Sequence, residues 1–188
     1  MTDDFFPPLP PPPKPRPPEH PEWRGPPRDA LSRAVPIDAA LLARSADVAL
    51  VIDGIRAFPT GFSFLLLAVA RLGAEQWGAL WSESEARVAE PERALRLGIE
   101  FSDGRRALDE APWARADKPR GAAVLRRGGG SGDGTGYELR YWVWPLPPRG
   151  PITFVCRWRA HDLPLSRYTM PADPIVEAAA RVRRIWEE

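Results

Sequence analysis

The sequence predicts an all-β chain: an antiparallel β-sandwich of immunoglobulin-like size with seven or eight strands, one C-terminal α-helix and a proline-rich N-terminal arm. Three observations predict it. From Val35 onward apolar residues recur mostly with period two, the mark of half-buried strands. A helical period shows only beyond Asp173, and twelve of the 24 prolines fall before Arg28, where neither a helix nor a β-ladder can form. At 188 residues and 44% hydrophobic composition the chain is long enough for one domain with a real core. Residues 1–28 read as the arm, the first ~20 of them as disordered polyproline, and 29–188 as the single domain.

In chain order, "AVPIDAALLAR" reads as a strand with Val35, Ile37, Ala39 and Leu41 on one face, although Asp38 could instead cap a short helix. Val48, Leu50 and Ile52 alternate with Ala49, Val51 and Asp53, and after the break at Pro59-Thr60-Gly61 the pattern resumes at Phe62, Phe64 and Leu66. Those are two strands around a turn. Residues 73–91 read as a variable loop with at most one helical turn. Leu95, Leu97, Ile99 and Phe101 then alternate, and Asp103-Gly104 follows as a two-residue hairpin turn. The run Ala122 to Leu125 precedes "RRGGGSGDGTG", which reads as a hairpin connection, and a last short strand is expected near Ser166 to Met170. In "ADPIVEAAARVRRIWEE", Asp173 suits an N-cap and Pro174 a first helical turn, while Ile175, Ala179, Val182 and Trp186 recur at helical spacing. A helix over 174–186 follows.

Charge selects no partner: 26 basic and 25 acidic side chains leave +1, which favours neither nucleic acid nor an anionic membrane. The greasiest run, Phe64 to Ala70, is far shorter than the roughly 18 residues a spanning helix needs. The acidic, proline-rich start lacks a secretory pattern and Cys156 has no second cysteine to pair with, so a cytoplasmic location is expected.

Catalytic constellations are poor. The glycine run lacks the Lys-Ser/Thr of a phosphate loop and misses a calcium-binding aspartate register. His20 lies in the arm and His161 beside Asp162, neither at a nucleophile or metal spacing, and Cys156 alternates in phase with Ile152, Phe154 and Trp158 as a core residue. The expectation is a non-enzyme with no cofactor and no metal. The arm offers more, because Pro10 and Pro13 stand at PxxP spacing with Lys14 and Arg16 beside them, a pattern that aromatic grooves read.

The densest aromatic stretch is "RYWVWPLPPRGPITFVCRW", residues 140–158. Alternation puts Leu139, Tyr141 and Val143 on one face of its first strand and Glu138, Arg140, Trp142 and Trp144 on the other. In its second strand Ile152, Phe154, Cys156 and Trp158 face the core, with Arg157 outward, and the prolines between read as a hairpin loop. Two bare indoles would present roughly 300–500 Å², as large as the biggest apolar patch on a typical monomer. Something should cover Trp142 and Trp144: the terminal helix, the Trp23-bearing segment Pro21 to Pro27, or another molecule.

The segments "PEWRGPP", "RAFPTGF", "LGIEFSDGRRA" and "YWVWPLPPRGPITFVCRW" resemble a family of uncharacterised actinobacterial proteins. That resemblance implies a small soluble protein and brings no activity with it. The functional expectation is a non-catalytic protein-protein interaction or scaffold module, its arm contacting another protein or a neighbouring copy. The alternative is a ligand-binding sandwich whose Trp142 and Trp144 stack on a sugar or base. Interaction candidates are Trp142, Trp144, Arg157, Arg140, Trp23, Pro10, Pro13 and Arg16.

Overall fold

A computed structural model describes residues 21–71, 92–109, 121, 123–132 and 136–186. Twelve strands are present among them: β1 (Ala30–Leu31), β2 (Arg33–Ala34), β3 (Ala40–Arg44), β4 (Val48–Ala57), β5 (Phe62–Ala70), β6 (Arg96–Phe101), β7 (Arg106–Leu108), β8 (Val124–Gly132), β9 (Gly136–Trp144), β10 (Pro151–Trp158), β11 (Leu163–Pro171) and β12 (Arg183–Arg184). Eight of these run five residues or more, which matches the expected count; the rest are short edge pieces. A single helix, α1, covers Asp173–Ala179.

The strands form an antiparallel sandwich. One sheet has the order β2-β4-β5-β9-β8, with β3 sharing the outer edge of β4 with β2; the other has the order β11-β10-β6-β7. A small ribbon of β1 and β12 stands apart from both. Alternation sends Leu50, Ile52, Phe64, Leu66 and Tyr141 from the first sheet, and Ile99, Phe154 and Trp158 from the second, into one core. Rings join the two layers: Phe64 stacks on Tyr141 at 5.3 Å and meets the edge of Phe154 at 5.2 Å.

Tyr141 carries a polar tip into this core, and the tip is satisfied. Its hydroxyl donates to Asp109 Oδ2 at 2.9 Å and accepts from Arg127 Nε at 3.1 Å, and Arg127 Nη2 lies 3.2 Å from the same carboxylate oxygen. Asp109, just beyond β7, bridges to Leu125 of β8, so this cluster ties an edge of one sheet to an edge of the other.

Several local expectations are corrected or refined. The prolines of 145–148 do not close a hairpin: β9 pairs with β5 and β8, β10 pairs with β6 and β11, and the segment 145–150 crosses between the sheets. The break at Asp103-Gly104 is a three-residue connection, Ser102 to Gly104. Phe101 accepts from the Gly104 amide and donates to the Arg105 carbonyl, and Gly104 takes φ +82°, a value glycine adopts without strain. In "AVPIDAALLAR" the strand begins later and in the other phase, with Ala40 buried and Leu41 outward, and a bulge between Leu41 and Ala43 then lets Leu42 and Ala43 both face inward.

The glycine run is strand as far as Gly132. β8 and β9 are consecutive antiparallel partners, as the hairpin reading requires, and two of the strand glycines answer close approach: a Cβ at Gly130 would lie 2.7 Å from Glu138 O and from Tyr137 Oη, and one at Gly132 2.7 Å from Tyr137 Cδ2. Finally, the helix stops at Ala179 instead of reaching 186. Ile175, Ala178 and Ala179 fill the buried face, and the chain then extends so that Arg183 and Arg184 pair with Leu31 and Ala30 while Arg184 meets Asp29 at 2.8 Å. Asp173 is the first helical residue rather than the cap; its carboxylate takes Arg149 at 2.8 Å and the Gly150 amide at 3.3 Å, which holds it below the usual carboxylate range.

Candidate functional site

The alternation of β9 places Arg140, Trp142 and Trp144 on the outer face of the first sheet, as the sequence predicts. Trp142 is nevertheless only 5% exposed. The backbone at Glu22 passes over it and accepts its indole N–H at 2.9 Å. Phe58 meets the ring edge-on at 5.4 Å. Gly61 lies directly against it, since a Cβ there would stand 2.7 Å from Trp142 Cη2 and 2.2 Å from the Val143 carbonyl. The cover is therefore the Pro21 to Pro27 segment, one of the candidates the sequence offered, and Trp23 is itself buried within it. The terminal helix is not the cover. Trp186, expected on its apolar stripe, lies beyond the helix and is 84% exposed.

Sealing Trp142 creates a groove beside it. Arg24 and Pro26 of the covering segment form one wall, and Arg126 and Gly128 of the edge strand β8 the other. Ser63, Leu65, Phe58 and Trp142 make the floor, Arg56, Arg127 and Arg140 also line it, and the groove, half open to solvent, has a volume of about 590 Å³, within the range of ligand pockets. Three of the quoted sequence segments, PEWRGPP, RAFPTGF and WVWPLPP, meet here.

The groove is cationic. No carboxylate lines it, and among the described residues Arg24, Arg56 and Arg126 have no acidic partner. Arg56 is held by Ser32 Oγ at 2.9 Å, Arg24 lies 5.0 Å over the Trp23 ring, and Arg140 reaches Glu138 only at 4.0 Å. The opposite face of the sandwich differs. There Glu100 takes Arg106 at 3.2 Å and Arg167 at 3.7 Å, and Glu92 takes Arg159 at 3.2 Å and Arg157 at 4.0 Å. Net charge near zero thus hides an uneven distribution: among the described residues Arg106, Arg157, Arg159 and Arg167 have acidic partners behind, where Arg96 alone has none, whereas three of the groove's five arginines, Arg24, Arg56 and Arg126, have none.

Of the sequence-predicted residues, Trp142, Arg140 and Trp23 belong to the groove or its wall. Arg157 does not: it sits on the outer face of the other sheet, because β9 and β10 lie in different layers. Trp144 is half-buried opposite Val124 and does not line the groove. Pro10, Pro13 and Arg16 lie outside the described residues. Sequence reasoning missed Arg24, Arg56, Arg126 and Phe58, although the segments PEWRGPP and RAFPTGF carry Arg24, Arg56 and Phe58.

Chemical groups elsewhere are quiet. Burial pushes the Cys156 thiol up to about 12, far from a reactive thiolate. Burial also lowers His161 below the usual imidazole value, partly offset by Asp162 and Asp47, while its ring meets Trp158 edge-on at 4.2 Å. Among the described residues no three His, Cys, Asp or Glu side chains gather as a metal site, and no helix is long and apolar enough to cross a membrane. No protein-family model matches the chain, and neither a search of curated proteins nor one of solved structures returns a match.

Proposed function

We propose that the protein is a non-catalytic interaction module and that its working surface is the arginine-lined groove beside Trp142. Its occupant is an acidic, aromatic-bearing segment of a protein. The observation that carries this reading is the concentration of guanidinium groups at the groove: five arginines line it beside an apolar floor with no carboxylate among the lining residues, and although Arg127 is salt-bridged to Asp109 and Arg140 lies 4.0 Å from Glu138, Arg24, Arg56 and Arg126 have no acidic partner among the described residues. An anion recognised here gains charge-assisted hydrogen bonds, while Leu65 and Phe58 offer contact to a ring.

The sugar- or base-stacking alternative fits less well. Trp142 has its N–H donated and its ring covered, so a ligand could stack on it only after residues 21–27 lift away.

The test is fluorescence anisotropy of a labelled peptide with two aspartates next to two phenylalanines, titrated with the full chain. Saturable binding that weakens at least ~10-fold in Arg24→Glu/Arg126→Glu and on raising salt from about 0.05 to 0.5 M is expected. Both arginines are exposed and hold no acidic partner among the described residues, so the fold should not suffer. Binding that ignores both changes would overturn the proposal.

A further inference from the structure

We infer that the occupant of the groove is the chain's own segment Asp3-Asp4-Phe5-Phe6, delivered by a second copy, so that two copies exchange these segments reciprocally. The inference rests on the groove being a site for acidic, aromatic segments and names the partner.

Charge complementarity comes first. Asp3-Asp4-Phe5-Phe6 places two carboxylates beside two phenyl rings. The groove offers Arg24, Arg56, Arg126 and Arg140 around a floor of Leu65 and Phe58. Two carboxylates against four guanidinium groups leave that surface better neutralised than it stands alone.

Chain length supplies the second argument. Fourteen residues, Pro7 to His20, separate the acidic segment from Pro21, and nine of them are proline. Such composition predicts polyproline II at ~3.1 Å per residue, a reach of ~43 Å. The attachment point is close to the groove: Arg24, a wall residue, donates its amide to the Pro21 carbonyl at 2.8 Å. A domain of this size has a radius of gyration of only ~15 Å, so a spacer of that reach is long enough to bring the segment to the groove of a neighbouring copy. Exchange between two copies closes with two-fold symmetry, and each contact raises the effective concentration for the other.

Analytical ultracentrifugation of the full chain over a concentration series tests this. A monomer-dimer equilibrium is expected, with a dissociation constant raised at least ~10-fold by Asp3→Arg/Asp4→Arg, and equally by Arg24→Glu/Arg126→Glu. Mixing those two variants should restore pairing through both contacts, the unaltered segment of one meeting the unaltered groove of the other and the reversed segment meeting the reversed groove, while combining them in one chain should restore the dimer only in part, because Arg56 and Arg140 remain in the reversed groove. A chain that stays monomeric at every concentration, or a dimer indifferent to all these changes, would overturn the inference. Its failure is distinguishable from failure of the groove. If Asp3→Arg/Asp4→Arg protein binds the labelled acidic peptide while the wild type is monomeric, the groove stands and the exchange falls; if no peptide binds, both fall.

Discussion

Replacing Trp142 with Phe tests how the covering segment is held. The substitution removes the indole N–H that Glu22 O accepts at 2.9 Å, and shrinks a side chain that is only 5% exposed. A net hydrogen bond is worth ~1 kcal/mol. The lost volume is roughly 40 Å³, which at ~24 cal/mol per Å³ adds ~1 kcal/mol. The variant should therefore lose ~2 kcal/mol, a fall in Tm of roughly 4–8 °C for a chain this size. Urea unfolding followed by circular dichroism is the right assay, since the change removes a tryptophan from the fluorescence signal. Trp186→Phe, at a side chain 84% exposed, serves as control and should stay within about 0.5 kcal/mol of wild type. If Trp142→Phe is as stable as that control, the segment 21–27 does not seal the indole and the groove wall has been misread.

Other outcomes follow from neighbouring contacts. Gly61→Ala should destabilise by ~2 kcal/mol or more in the same urea assay, because its Cβ would stand 2.2 Å from a backbone carbonyl that cannot move freely. Tyr141→Phe should cost on the order of 1–3 kcal/mol by chemical denaturation, since it deprives buried Asp109 of a donor. His161 is held below its usual value, so the unfolded chain takes up a proton first as pH falls. The stability tied to its neutral ring is complete above the unfolded value of about 6.5 and declines below it. His161→Phe should flatten that part of a stability-pH profile, and an unchanged slope would exclude the residue as its source.

Much of the fold was legible because period-two alternation is a local signal. Leu50, Phe64, Ile99, Tyr141 and Phe154 all face inward as their neighbours in sequence imply. Layer assignment was not legible. Tyr141 to Trp158 looks like one hairpin, because two apolar-alternating runs around a short proline segment satisfy every local rule. Only the pairing of β9 with β5 and of β10 with β6 separates them, and that separation sends Arg157 to the face opposite Arg140. The helix failed for a related reason. Val182 and Trp186 keep helical spacing, yet no core surface receives them, and the ladder to Ala30 and Leu31 takes the chain instead. The site was half legible: Trp142 and its cover could be named from patterning and area, whereas the cationic groove depends on Arg24, Arg56 and Arg126 converging from three distant segments.

The arginines that line the groove beside Trp142 form the binding surface in this account. That assignment is tested most directly by following arginine side-chain Nε–H resonances while the acidic peptide is added to Asp3→Arg/Asp4→Arg protein. Saturable shifts at Arg24, Arg56, Arg126 and Arg140, with Arg96, Arg157 and Arg167 unmoved, are the predicted result. Shifts concentrated on Arg96, Arg157 and Arg167, or spread evenly over both faces, would contradict it.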